Sequence, residues 1–127
     1  MADVRQRLLA VDDEPDILDF LERATRHRFT ITRCGNGEDA LALLEREAFD
    51  LLITDHKMPR LTGLELLERL GARYPAMARM LLSGYTDVPD VERAGAVGRV
   101  HHYVLKPVDS RSLLAGIDQA LRVRAGA

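Results

Sequence analysis

The chain has 127 residues, 46% of them apolar and 30% charged, with a formal net charge of −2; this fits one globular domain over residues 1–127 and excludes a disordered polymer. So even a charge balance offers no field for nucleic acid or an anionic membrane, and no apolar run nears the roughly 20 residues of a membrane-spanning helix. Met1-Ala2-Asp3-Val4-Arg5-Gln6-Arg7 lacks an apolar leader, and the single Cys34 can form no internal disulfide, so a reducing, cytoplasmic setting is expected.

Leu8-Leu9-Ala10-Val11 opens the series of elements as a continuous apolar run, the pattern of a strand covered on both faces. Ile17, Leu18, Leu21 and Ala24 follow at helical spacing behind Pro15, which a first helical turn tolerates. Phe29-Thr30-Ile31-Thr32 mixes in polar residues, suiting a strand near a sheet edge. After the turn cluster Gly35-Asn36-Gly37, a second helix carries Ala40, Leu41, Leu43 and Leu44. Leu51-Leu52-Ile53-Thr54 is a third strand, and Leu64, Leu66, Leu67 and Leu70 mark a helix ending near Gly71. Met80-Leu81-Leu82 is the fourth strand. Residues 89–98 place Val91, Ala94 and Val97 at helical spacing, although Gly95 and Gly98 weaken that helix. Residues 100–105 form a mixed fifth strand, and Leu113, Leu114, Ile117 and Leu121 a last helix capped by Asp109 or Ser110. Strand and helix alternating five times predict an α/β fold: a flavodoxin-like, doubly wound, five-stranded parallel sheet of order 2-1-3-4-5 with helices on both faces. Ligands of such sheets bind beyond the carboxyl ends of the strands, at the switch point between strands one and three.

Those carboxyl ends converge on one chemistry. The first strand ends in Asp12-Asp13-Glu14, the third in Asp55, the fourth in Ser83 and the fifth in Lys106, while the second ends uncharged in Cys34-Gly35. Carboxylates about 5 Å apart repel by roughly 3 kcal/mol per pair at an effective dielectric near 20. A bound dication relieves this, and hard oxygen ligands with open positions suit magnesium. No Cys/His cluster competes for zinc, because His101 and His102 are neighbours on one strand and point to opposite faces. Lys106 offers a point charge and Ser83 a hydroxyl to a phosphoryl group, which leaves Asp55 as metal ligand, general base or nucleophile. Without a glycine-rich phosphate loop a nucleotide substrate is poorly supported, and phosphoryl transfer onto a carboxylate remains. Of 18 basic residues only Lys57 and Lys106 are lysine, and both fall at this rim.

In these residues the chain resembles the receiver domain of bacterial two-component response regulators over essentially its full length. The matching segments are Val11-Asp12-Asp13-Glu14, Thr54-Asp55-His56-Lys57-Met58-Pro59 with Leu61-Thr62-Gly63, Leu82-Ser83-Gly84-Tyr85 and Tyr103-Val104-Leu105-Lys106-Pro107. The stretches Ser83-Gly84-Tyr85 and Leu105-Lys106-Pro107-Val108-Asp109 look most like receivers attached to cyclic-dinucleotide phosphodiesterase or similar output modules. The resemblance implies that Asp55 takes a phosphoryl group from a sensor histidine kinase or a phosphotransfer protein. It implies Mg2+ on Asp13, Asp55 and the Lys57 backbone carbonyl, with Asp12 acting through water. It further implies a cis Lys106–Pro107 bond, Lys106 on the phosphoryl oxygens, and Ser83 with Tyr103 as the switch pair. Phosphorylation would then shift the face made by the fourth helix, fifth strand and fifth helix, through which an output domain or a homodimer partner would be engaged. Glu14, Lys57, Met58, Pro59 and Tyr85 flank the site; Tyr85 is expected to shield the acyl phosphate and Lys57 to pair with Glu14 or the phosphate.

Blander readings stand beside these. The acidic pair can be a helix-capped loop, Met58-Pro59 a plain turn, Ser83 a satisfied loop hydroxyl, Tyr103 a core residue, and Lys57 and Lys106 solvated side chains. Cys34 reads as a small buried residue and His27 and His56 as surface residues. Two rival functions remain: a Mg2+-dependent phosphatase with an aspartate nucleophile, disfavoured by Lys57 where a second acid is usual, and an unphosphorylated interaction domain of the same fold. Self-phosphorylation and self-dephosphorylation are the only catalysis expected.

Overall fold

The computed structural model describes residues 5–126, with side chains through Arg124, so the expectation drawn from residues 1–4 falls outside the described residues. Five strands and five helices alternate: β1 (Gln6–Val11), α1 (Pro15–Thr25), β2 (Phe29–Cys34), α2 (Gly37–Arg46), β3 (Leu51–Asp55), α3 (Gly63–Leu70), β4 (Ala78–Ser83), α4 (Val88–Ala96), β5 (His102–Leu105) and α5 (Ser110–Gly126). A short 3-10 turn, Tyr85–Asp87, leads into α4. The sheet is parallel throughout, in the order β2-β1-β3-β4-β5. The two strands with interspersed polar residues, β2 and β5, are its edges.

Side chains alternate across each strand, so one sheet feeds two cores. Leu9, Val11, Leu52 and Leu81 face Leu66 and Leu67 of α3 together with Ala40 and Leu44 of α2 and Val91 of α4. Leu8, Ala10, Ile53, Met80 and Leu82 face Leu18 and Leu21 of α1 and Leu113 and Ile117 of α5. Each fully buried aliphatic side chain contributes about 1.5–3 kcal/mol.

The helix starts are fixed locally. Asn36 accepts the Asp39 amide at 2.8 Å ahead of α2, Thr62 and Glu65 form a reciprocal capping box on α3, and Asp109 accepts the Ser112 amide at 2.7 Å on α5.

Two elements depart from expectation. The fourth strand starts two residues before Met80 and carries Arg79, only 3% exposed, whose guanidinium donates to the carbonyls of Leu67, within α3, and Arg73, just beyond its end. That charge hid the strand start from any apolar pattern. The fifth strand starts at His102, not Val100. His101 lies just before it and uses Nδ1 to accept the Arg79 amide at 2.9 Å, a side chain standing in for a ladder carbonyl.

Candidate functional site

The carboxyl ends of β1 and β3 are neighbours in the sheet, with Val11 beside Thr54, so the residues that follow them share one rim. Asp55 closes β3 and is 2% exposed. Asp12 follows β1, is 1% exposed, and is anchored by its amide on the Cys34 carbonyl at 3.0 Å. Asp13 is exposed. One carboxylate oxygen from each of the three lies within 4.8 Å of the others.

Lys106 closes the pocket from the far side. Its amide donates to the Ser83 carbonyl at 2.9 Å, extending the β4–β5 pairing, and the Lys106–Pro107 bond is cis. The Lys106 ammonium forms an ion pair with Asp55 Oδ1.

The balance of charge falls on Asp12. Its Oδ1 accepts the Glu14 amide at 2.9 Å, but Oδ2 is buried without a hydrogen-bond partner. Burial, aided by the carboxylates of Asp55 and Asp13 and opposed by the Glu14 amide and Lys106, pushes its pKa up to about 6. A buried, unpartnered carboxylate oxygen beside two further carboxylates is the donor set a small hard dication needs, since octahedral magnesium spaces its oxygens by about 3–4 Å. The residues present fit magnesium. The backbone bonds of the β3–α3 loop run to the His56 and Pro59 carbonyls; among the described residues no N–H donates to the carbonyl of Lys57, which stays available as a fourth oxygen.

Ser83 is 0% exposed, and its hydroxyl donates to the Gly84 carbonyl at 3.1 Å. Tyr103 is half-buried on β5 and packs against the core on the α2–α3–α4 side. Met58 is buried at 6%, while Glu14, Lys57 and Pro59 are exposed. Among the described residues no ion pair joins Lys57 to Glu14, so the pairing expected of them is not formed in this arrangement. Tyr85 is 74% exposed and covers nothing here.

His56 is not the surface residue expected of it. Its side chain is 14% exposed, with Nε2 3.7 Å from Oδ1 of Asp87, and its Nδ1 accepts the Leu64 amide at 3.4 Å. Neither His56 nor Asp87 was legible as a pair, because they meet only once β3 and β4 are adjacent. Next to the rim, a cleft of about 480 Å³ is lined by Glu14, Ile17, Phe20, Leu82, Lys106, Pro107 and Val108.

A buried carboxylate paired to a lysine and set beside two further acids at the switch point of a parallel sheet is an arrangement suited to a divalent cation and an anionic group. The family model described as the response regulator receiver domain matches residues 8–118, and the chain belongs to that family. It is 32% identical over 124 residues to the hydrogenase transcriptional regulatory protein HoxA of Cupriavidus necator, covering 98% of this chain and 26% of that one. It is 36% identical to the response regulator protein PilR of Pseudomonas aeruginosa, covering 94% and 27% respectively. The chain therefore spans about a quarter of the length of these curated relatives. Among solved structures, the signal receiver domain of an HD domain-containing protein from Pseudomonas fluorescens Pf-5 superposes with a TM-score of 0.85 at 30% identity, covering 98% of this chain and all of that one. The chemotaxis response regulator CheY4 of Vibrio cholerae gives 0.83 at 25% identity, covering 93% of this chain and 100% of that one. Receivers are signalling domains and not classical enzymes. Among the described residues no helix is long and apolar enough to cross a membrane.

Proposed function

We propose that this receiver accepts a phosphoryl group on Asp55 from the phosphohistidine of a sensor kinase or phosphotransfer protein. The observation that carries the reading is the buried Asp55 carboxylate, ion-paired to Lys106 and set beside Asp12 and Asp13. An Asp55 oxygen attacks phosphorus in line. As the O–P bond forms, the P–N bond breaks, its electron pair stays on nitrogen, and the donor ring leaves as imidazole. Lys106 then exchanges its carboxylate partner for the phosphoryl oxygens, where negative charge accumulates. Asp12, Asp13, Asp55 and the Lys57 carbonyl would hold a magnesium ion, which when bound supplies charge neutralisation to the same oxygens.

Ser83 and Tyr103 carry the signal away. The Ser83 hydroxyl leaves the Gly84 carbonyl for a phosphoryl oxygen, and the Tyr103 ring moves into the space released, biasing the α4–β5–α5 face toward its output or dimeric partner. The apolar cleft between α1 and the β5–α5 loop opens beside Lys106, which supports docking of the donor's helix there. Its relatives include a hydrogenase transcriptional regulatory protein and the receiver domain of an HD domain-containing protein, which supports coupling of this receiver to an output module.

Acetyl phosphate with magnesium, followed by intact mass measurement, tests the reading. One added phosphate is expected, absent in Asp55→Asn and absent when magnesium is chelated. Turnover of an external phosphoester without a phosphorylated protein would instead support the phosphatase.

A further inference from the structure

Asp87 occupies the N-cap position of α4, where an aspartate side chain normally accepts a helix amide. Here it makes no such cap hydrogen bond. The side chain is 15% exposed and turns toward His56, with Oδ1 3.7 Å from His56 Nε2, while Oδ2 is buried with no hydrogen-bond partner at all. His56 is ready to complete the bond. Its Nδ1 already accepts the Leu64 amide, which places the ring proton of the neutral imidazole on Nε2, facing Asp87. The gap exceeds hydrogen-bond length by well under 1 Å.

The two residues belong to the two loops that the proposed switch at Ser83 draws together. His56 follows the acceptor Asp55 directly and is fixed, its amide donating to the Leu82 carbonyl at 3.0 Å and its carbonyl accepting the Gly63 amide at 2.8 Å. Asp87 is on the turn immediately after Ser83, with its amide on the Gly84 carbonyl at 3.2 Å, the same carbonyl that holds the Ser83 hydroxyl.

We propose that Asp87 is a positioning residue: when Ser83 and its turn draw toward a phosphoryl group on Asp55, the His56–Asp87 hydrogen bond closes and holds the start of α4 in the activated place. The contact is left unmade before phosphorylation, so its energy appears only in the activated arrangement and stabilises that state selectively. The inference rests on the phosphoacceptor reading and extends it from Ser83 to the helix that follows.

Binding of beryllofluoride, a phosphoryl mimic, in the presence of magnesium tests it. Asp87→Ala and His56→Ala are each expected to weaken binding about fivefold, the factor carried by one net hydrogen bond. The double variant is expected to be no weaker than either single one, and His56→Gln, whose amide can still donate, to recover much of the loss. Simple electrostatics predicts the opposite sign for Asp87→Ala, since deleting a negative charge near an anion site tightens anion binding. Asp87→Asn, which keeps the shape and gives the turn every chance to fold, is expected to weaken binding as well. Wild-type binding with unchanged or tighter constants in the Asp87 variants would overturn the His56–Asp87 role alone. Absence of wild-type binding would overturn it together with the phosphoacceptor reading.

Discussion

Asp12 shows how one side chain can be a liability to the fold and an asset to the site. Burial pushes its pKa up from 3.8 to about 6, so the folded domain binds that proton more tightly than the unfolded chain. Without metal, stability therefore falls as pH rises from about 4 to about 6, by roughly 3 kcal/mol in all, and is level above that. Asp12→Asn removes the penalty. In chelator, denaturant melts are expected to show the variant more stable than wild type at pH 7, with the gap closing toward pH 4. With magnesium the gap narrows, because the wild type, with one more acid at the site, gains more stability from the ion than the variant does. A variant that is no more stable in chelator at pH 7 would show that the acid cluster carries no strain.

At the scale of elements, the site depends on how closely α3 approaches the end of β3. A Cβ built on Gly63 would stand 2.3 Å from the Asp55 carbonyl and 2.8 Å from Leu81 Cδ1, so only glycine allows the helix to start there. Gly63→Ala is expected to cost about 1–3 kcal/mol by overpacking and to slow phosphorylation by acetyl phosphate, because the backbone that must yield is that of Asp55, the proposed acceptor. An unchanged melt together with an unchanged rate would contradict this. The sequence made the helical stripe of α3 and its end at Gly71 legible, and the motif segment included Gly63. What stayed hidden were contacts between elements far apart in the chain. Arg79 interrupts the apolar start of β4, and its reason, the carbonyls at the end of α3, is visible only in three dimensions. His101 resembled a strand residue because its substitute hydrogen bond to Arg79 leaves no periodic trace. His56 looked exposed because a polar residue after a strand end usually is.

Across the whole molecule, a short list of polar residues at strand ends was enough to locate the site, because a parallel sheet delivers every carboxyl terminus to one edge. Apolar run length separated the covered strands β1 and β3 from the edge strands β2 and β5, so the strand order followed with little further information. The position of the flanking side chains did not follow in the same way: Lys57, Glu14 and Tyr85 all project into solvent, where no packing specifies their partners. In the proposed mechanism, activation would couple this edge to the α4–β5–α5 face through Ser83, Tyr103 and, as inferred above, Asp87, so that a local change of charge repositions a helix.

The phosphoryl group can be located by borohydride trapping, which reduces an aspartyl phosphate to homoserine, after treatment with acetyl phosphate and magnesium. Homoserine at position 55, and at no other acid, is the expected product. Homoserine at position 12 or 13, or a phosphorylated chain with residue 55 intact, would contradict the assignment of Asp55 as acceptor.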